Sequence, residues 1–263
     1  MRLIESRDNA IYKRVSKLAR DKREQLQGAQ YVWLEGIHLC QMWLEHKGQP
    51  ELAVFEHERV NDELLELLRF VPERLCVQFS AALMNGLSQV VGRGQGVGFV
   101  VRVDASTSPL SITSNAILLD AVQDPGNVGT LLRTAAARGI RDVYLSKGCA
   151  AAWSQKVLRS AQGAHFSLRL YEQLSTTQIL ALCQVPMLVT CLDEQALSLY
   201  DTQLPEQALW VFGNEGQGVS AELIQAAAQR LYIPQAAGVE SLNVSIAAAL
   251  CLYEHFRQHR PAL

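Results

Sequence analysis

The sequence predicts an α/β fold, a parallel sheet covered on both faces by helices and preceded by a smaller α/β domain. Three observations lead there. From residue 116 onward, apolar runs of strand length alternate with segments of helical periodicity, the pattern of parallel strands joined by crossover helices. Polar loops follow those strands, where ligands of such sheets bind. The composition also changes near residue 105: residues 104–115, DASTSPLSITSN, contain Pro109 and no helical repeat. This divides the chain into a first domain over 1–104, a linker over 105–115 and a second domain over 116–263.

In the first domain the spacing predicts a basic helix over 11–25, a helix over 38–45, a strand over 52–55 and a helix over 61–70. Strands at 75–79 and 97–103 close it. Between these two strands lies GRGQGVG, residues 92–98. It lacks G-x-G-x-x-G spacing and opens no helix, so it reads as a flexible turn, with backbone contact to a phosphate as the lesser alternative.

In the second domain residues 116–120 form a strand. The loop Asp124-Pro125-Gly126-Asn127 follows, and Asn127 is placed to cap the helix that runs through Arg138 to a stop at Gly139. Strands at 142–145, 187–192, 209–212 and 231–233 alternate with helices at 154–162, 221–230 and 241–257, the first of these helices ended by Gly163.

Bulk properties narrow the function. The chain has 263 residues, 49% of them hydrophobic and 19% charged, the balance of a globular protein with a sizeable core. A formal net charge of −2 gives no global attraction to nucleic acid, so an RNA contact needs a local patch. Arg2, Arg7, Lys13, Arg14, Lys17, Arg20, Lys22 and Arg23 stand against Glu5, Asp8 and Asp21, a local charge of about +5. This is either a solvated helix face or a phosphate-contacting one. Six scattered cysteines without a C-x-x-C pair argue against a disulfide framework and a zinc ribbon. The N-terminus carries no apolar signal core, and no apolar run approaches the ~20 residues of a bilayer span, so a cytoplasmic protein without membrane contact is expected.

Three loops suit chemistry. In DAVQDPGNVGTLLRTA, residues 120–135, Arg133 sits among small apolar residues and points either to solvent or to an anion. In WVFGNEGQGVS, residues 210–220, glycines around Asn214 and Glu215 allow close approach of a ligand to the main chain. The acid makes this a poor phosphate cradle, and a P-loop needs G-K-[ST], so a cationic or neutral ligand fits better. In the third, residues 232–254, Ser241 and Asn243 stand where the closing helix begins, with a simple N-cap as the alternative for Ser241. The small apolar residues 245–252 would pack tightly on the sheet or on another chain. A nucleophilic serine would need a G-x-S-x-G elbow, which is missing. His255 and His259, four apart, lack a third metal ligand, and no metal is expected.

These stretches resemble, in order, the three signature motifs of the SpoU family of RNA ribose methyltransferases in the SPOUT superfamily. The matching residues are Asp124-Pro125-Gly126-Asn127-Val128-Gly129 with Arg133, then Phe212-Gly213-Asn214-Glu215-Gly216 with Gly218, then Ile233-Pro234 with Ser241-Leu242-Asn243-Val244. More loosely, Ser6, Asn9, Lys13 and Lys17 with Glu35-Gly36 are similar to the opening of the substrate-binding domain that some members carry. The glycine turn at 92–98 departs from the proline-containing turn of that domain.

The resemblance implies a knotted SPOUT methyltransferase domain, a homodimer, and S-adenosyl-L-methionine as cofactor, with transfer to a ribose 2′-hydroxyl of RNA. Ribosomal RNA is favoured over tRNA because of the separate first domain. Thr190, Gly213, Ile233 and Leu242 would hold the cofactor. Asn127, Glu215, Ser241 and Asn243 would order and line the site, and Arg133 would act on the RNA. The alternatives are a tRNA 2′-O-methyltransferase and a catalytically silent RNA-binding or ribosome-assembly protein on the same scaffold. An ordinary Rossmann enzyme would need a G-x-G-x-x-G turn after the first strand.

Overall fold

The computed structural model describes residues 1–21, 24–26, 29–59, 61–88, 94–104 and 111–260. The chain forms two compact units, one of Met1–Ala105 with Trp153–Phe166 and one of Ser106–Ala152 with Ser167–Leu263.

The first unit runs β1 (Arg2–Ile4), α1 (Ala10–Leu18), β2 (Glu24–Leu26), β3 (Ala29–Glu35), α2 (Ile37–His46), β4 (Leu52–Glu56), α3 (Asp62–Arg69), β5 (Cys76–Phe79), α4 (Ala81–Asn85) and β6 (Val97–Asp104). Its sheet has the order β1-β5-β4-β6-β3-β2, parallel over the first three strands and antiparallel beyond. Successive strand residues face opposite sides and so feed two cores. Leu34, Phe55, Phe99 and Val101 pack with Trp43 and Leu67 on one face, while Trp33, Val54 and Val100 pack with Val15 and Leu83 on the other.

Two expectations change here. The basic helix stops at Leu18, because Asp21 adopts a left-handed φ of 58° and residues 24–26 pair with β3. Arg14 holds Glu24 at 2.8 Å across that turn, so a tertiary contact overrides helical propensity. Residues 29–35, unassigned from the sequence, form the strand between β2 and β6. Lys22 and Arg23 of the basic segment lie outside the described residues, as do Gly92 and Arg93 of the glycine turn and residues 105–110 of the expected linker. Beyond these, Ile112 is buried and bridges to Cys183.

The second unit contains β7 (Ala116–Asp120), α5 (Pro125–Ala137) and β8 (Asp142–Ser146). The chain then contributes α6 (Gln155–Ala161) to the first unit and continues with β9 (Arg169–Leu174), α7 (Thr176–Leu182), β10 (Met187–Thr190) and β11 (Leu197–Ser198). It ends with β12 (Leu209–Gly213), α8 (Ala221–Ala226), β13 (Gln229–Tyr232) and α9 (Val244–His259). The sheet order is β11-β13-β10-β12-β7-β8-β9, and every one of these pairings is parallel. All residues of β7, β8 and β12 are buried, as in a sheet covered on both faces. The helix expected over 221–230 ends four residues early, because Ala227 is extended and the residues from Gln229 onward pair with β10.

Among the described residues all six cysteines are free, and no helix is long and apolar enough to cross a membrane.

Candidate active site

The parallel register decides where the loops meet. Gly213 pairs with Asp120, Val211 with Val189, and Thr190 with Leu231. The carboxyl ends of β13, β10, β12 and β7 therefore stand in one row. A cleft of about 500 Å³ opens there, lined by Thr190, Gly213, Glu215, Ile233, Ser241, Leu242 and Asn243 together with Leu192, Gln235, Val244 and Ala247. Seven of the nine residues expected at the site thus share one cavity. Asn127 and Arg133 are not among its lining residues.

Asn127 is joined to the cleft by hydrogen bonds. Its Nδ2 donates to Glu215 at 2.9 Å, and its Oδ1 accepts from Asn243 Nδ2, also at 2.9 Å. Asn243 Oδ1 in turn accepts from the hydroxyl and backbone N–H of Ser245 at 2.6 and 2.9 Å. One relay thus ties all three loops through side chains that cannot substitute for one another, since each amide donates on one side and accepts on the other. The backbone N–H groups of Gln123 and Asp124 also point at the Glu215 carboxylate, at 3.3 and 3.4 Å. Partial desolvation pushes the Glu215 carboxyl up, but hydrogen bonds from Asn127, its own backbone, Gln123 and Asp124 outweigh this and hold it below its ordinary value.

The second loop folds back on itself. Asn214 and Gly218 exchange backbone hydrogen bonds of 3.0 and 2.9 Å, and Gly218 has a φ of +71°. A Cβ on Gly213 would overlap the backbone of Gly218 and Val219, so the last residue of β12 has to be glycine.

The caps differ from expectation. Asp124, not Asn127, is the N-cap of α5, accepting from the Asn127 N–H at 2.8 Å with Pro125 in the first turn. Asn243, not Ser241, caps α9. Ser241 is exposed on the cleft wall and makes no side-chain hydrogen bond with a described residue. The Arg133 side chain is exposed on α5 and makes no ion pair or hydrogen bond with a described residue, which leaves its guanidinium free for an anion.

Three contributors escaped the sequence reading. Asn214 organises its loop, accepting from Gly216 and Gln217 and donating to the Ala121 carbonyl at 2.8 Å. Buried Asp120 accepts from the Ser146 hydroxyl and the Ser220 N–H at 3.0 and 2.8 Å, tying β7 to the start of α8. Gln235 lines the cleft with a buried Oε1 that has no partner among the described residues. The Asp-Pro pair before a helix could have revealed the Asp124 cap; nothing local marks the other three. His255 and His259 are occupied, the first between the Trp210 indole and the Pro205 carbonyl, the second at the Leu204 carbonyl. Among the described residues no cluster of three His, Cys, Asp or Glu could hold a metal.

Residues 114–253 match the SpoU rRNA Methylase family. The chain belongs to that family. It is 31% identical, over 97% of its length and 93% of the relative's, to an uncharacterized tRNA/rRNA methyltransferase of Synechocystis. It is also 31% identical to the 23S rRNA (guanosine(2553)-2′-O)-methyltransferase RlmP of Bacillus subtilis, covering 98% of this chain and 100% of that one. Among solved structures, the SpoU methyltransferase AviRb of Streptomyces viridochromogenes in complex with AdoMet superposes with a TM-score of 0.82 at 25% identity, covering 95% of this chain and 98% of that one.

The cleft suits S-adenosylmethionine. Its volume falls within the roughly 300–1,000 Å³ of small-ligand clefts. Ile233, Leu242, Val244 and Ala247 offer apolar wall for a purine. The Gln235 acceptor could take an N–H, and among the described residues Glu215 is the one charged group of the lining, its sign opposite to a sulfonium.

Proposed function

We propose that the chain methylates a ribose 2′-hydroxyl of ribosomal RNA and acts as a homodimer in the cytoplasm. The observation that carries the reading is the Glu215–Asn127–Asn243–Ser245 relay, which locks three loops around a cofactor-sized cleft. A silent scaffold has no use for a chain of amides oriented in this way.

In the cleft, S-adenosylmethionine supplies an electrophilic methyl on a sulfonium leaving group. The main chain at Gly213, Ile233 and Leu242, with Thr190, would hold it in place. The Thr190 hydroxyl is itself fixed, donating to the Val211 carbonyl at 3.3 Å. Asn127, Glu215 and Asn243 keep the loops in register, and Ser241 offers a free hydroxyl on the wall. The remaining task is to align a weakly acidic ribose hydroxyl and help it lose a proton. Arg133 is effectively always protonated, which argues against ordinary base catalysis. In this reading it grips the adjacent phosphate and stabilises the developing alkoxide, while water or a neighbour takes the proton.

The dimer is supported by α9, whose Ile246, Leu250 and Tyr253 are 53, 37 and 51% exposed at helical spacing. Such a stripe on a helix suits a self-complementary contact. Arg138 braces that helix, donating to the Leu252 carbonyl and stacking 3.9 Å over the Phe256 ring. Ribosomal rather than transfer RNA is supported by the Bacillus subtilis relative, and a knotted path remains part of the proposal.

The test is transfer of labelled methyl from S-adenosylmethionine to RNA from cells lacking the gene, followed by nucleoside analysis. Labelled 2′-O-methyl nucleoside in ribosomal RNA is the expected result. Label confined to tRNA moves the substrate, and cofactor binding without transfer to free or ribosome-bound RNA favours the silent scaffold.

A further inference from the structure

A further concave site lies in the first unit. A groove of about 400 Å³ is lined by Arg7, Lys13, Lys17 and Arg20, with Tyr12, Ser16 and Gly86. On α1 and the turn that follows it, residues 13, 16, 17 and 20 stand at i, i+3, i+4 and i+7, which puts them on one face. Arg14, one step round, faces the sheet instead, where Glu24 holds it at 2.8 Å and it stacks 4.8 Å over the Tyr31 ring. The helix therefore sorts its cations into one held against the sheet and a row that lines the groove.

Lys13 alone of that row touches a carboxylate, the exposed Asp8 at 2.9 Å, a surface pair that contributes little. The side chains of Arg7, Lys17 and Arg20 are exposed and make no ion pair or hydrogen bond with a described residue. The Tyr12 side chain is largely buried, and its hydroxyl has no partner among the described residues. A Cβ at Gly86, just after α4, would come within 2.9 Å of that hydroxyl, so glycine there keeps it reachable. Unpaired like charges held side by side are costly unless a polyanion neutralises them. Residues 13–20 span roughly 10 Å of helix axis, the rise of about three phosphates along a stacked strand.

We propose that this groove holds the phosphodiester backbone of the RNA substrate, with Lys13, Lys17 and Arg20 each facing a phosphate and the Tyr12 and Ser16 hydroxyls donating to phosphate oxygens. The proposal rests on the RNA reading above and assigns to named side chains the local patch that a net charge of −2 requires. It carries no base selectivity, because phosphate contacts position a strand and do not read it.

The experiment measures binding of unmodified ribosomal RNA by the full-length protein across a salt series, alongside binding of S-adenosylmethionine. Each lost phosphate contact lowers the slope of log K against log salt by about 0.7–0.9. Lys17→Ala with Arg20→Ala is expected to weaken RNA binding about tenfold or more near 0.1 M salt and to lower the slope by about 1.4–1.8, with cofactor affinity unchanged. Arg69→Ala removes an exposed cation of the same unit outside the groove and is expected to leave both quantities alone. Gly86→Ala crowds the Tyr12 hydroxyl without changing charge, and is expected to weaken RNA binding at constant slope.

An unchanged affinity and slope in the double variant overturns the groove while leaving the methyltransferase reading intact. An Arg69→Ala effect as large as that of the double variant also overturns it, reducing the groove to diffuse charge. A wild-type protein that binds cofactor but no RNA removes both readings together.

Discussion

The cleft in the second unit is walled by main chain, small side chains and neutral amides, with Glu215 its only charged lining residue among the described ones, while the groove along α1 is walled by four cations. In the cleft the polar side chains mostly hold one another: Asn127 grips Glu215, and Asn243 grips Asn127 and its own helix. In the groove the side chains of Arg7, Lys17 and Arg20 hold no partner among the described residues. A site ordered before its ligand arrives loses little entropy on binding and selects by shape. A row of mobile cations selects by charge density and tolerates many sequences. If the groove holds RNA as proposed, one chain pairs a hydrogen-bonded site for a small molecule with a charged one for a polymer.

Arg133 belongs to neither class, and replacing it gives the largest expected effect. Arg133→Ala should lower kcat by about 10²–10³ while leaving cofactor affinity unchanged, because the residue does not line the cleft. Arg133→Lys should recover part of the rate without moving the pH profile; an active lysine variant with its profile shifted to lower pH restores the base role.

Salt should separate the two sites next. Raising it from 50 to 200 mM should weaken RNA binding roughly 20- to 40-fold if three phosphates are held, and S-adenosylmethionine binding hardly at all. Equal sensitivity of both would erase the contrast.

Gln235→Leu removes the unpartnered acceptor of the cleft. Titration calorimetry should find cofactor affinity reduced about 5- to 10-fold, about 1 kcal/mol for one hydrogen bond, with the fold unharmed. Unchanged affinity would make Gln235 a bystander.

The smallest effect concerns acid. Because the folded-state ionisation of Glu215 is depressed, its contribution is fully present above its ordinary value of 4.5 and is lost as pH falls through the lower folded value. Cofactor binding should hold through pH 5 and fall only below the usual carboxylate range. Glu215→Gln should be weaker at neutral pH and should flatten that acid limb; an unaltered acid limb would remove Glu215 from the relay.

How far the sequence reached can be judged from these elements. The strands at 116–120 and 209–212 were legible because runs buried on both faces are continuous and apolar, and the loops after them because proline, glycine and asparagine cluster there. The parallel order brings Thr190, Gly213, Ile233 and Leu242, named from the family resemblance, to one cavity. What stayed hidden was long-range. The strand at 29–35 shows no alternation because both of its faces are covered, and the end of α1 is set by a partner strand. Asn214 and Asp120 act through the carbonyl of Ala121 and the N–H of Ser220, partners 93 and 100 residues away that no local pattern announces.

Residues 153–166 carry a consequence for synthesis of the chain. Leu158 and Phe166 sit in the first unit's core, and the Gln155 side chain donates to the Trp33 carbonyl at 2.7 Å. A ribosome that has finished residue 105 has therefore not yet made all of the unit that begins at Met1. At about 5–20 residues per second the missing segment arrives some 3–12 seconds later, after β7, α5 and β8 have been made. Until then the nascent sheet waits with part of one face bare. A gene fragment cut at the apparent boundary would hold it in that state for good.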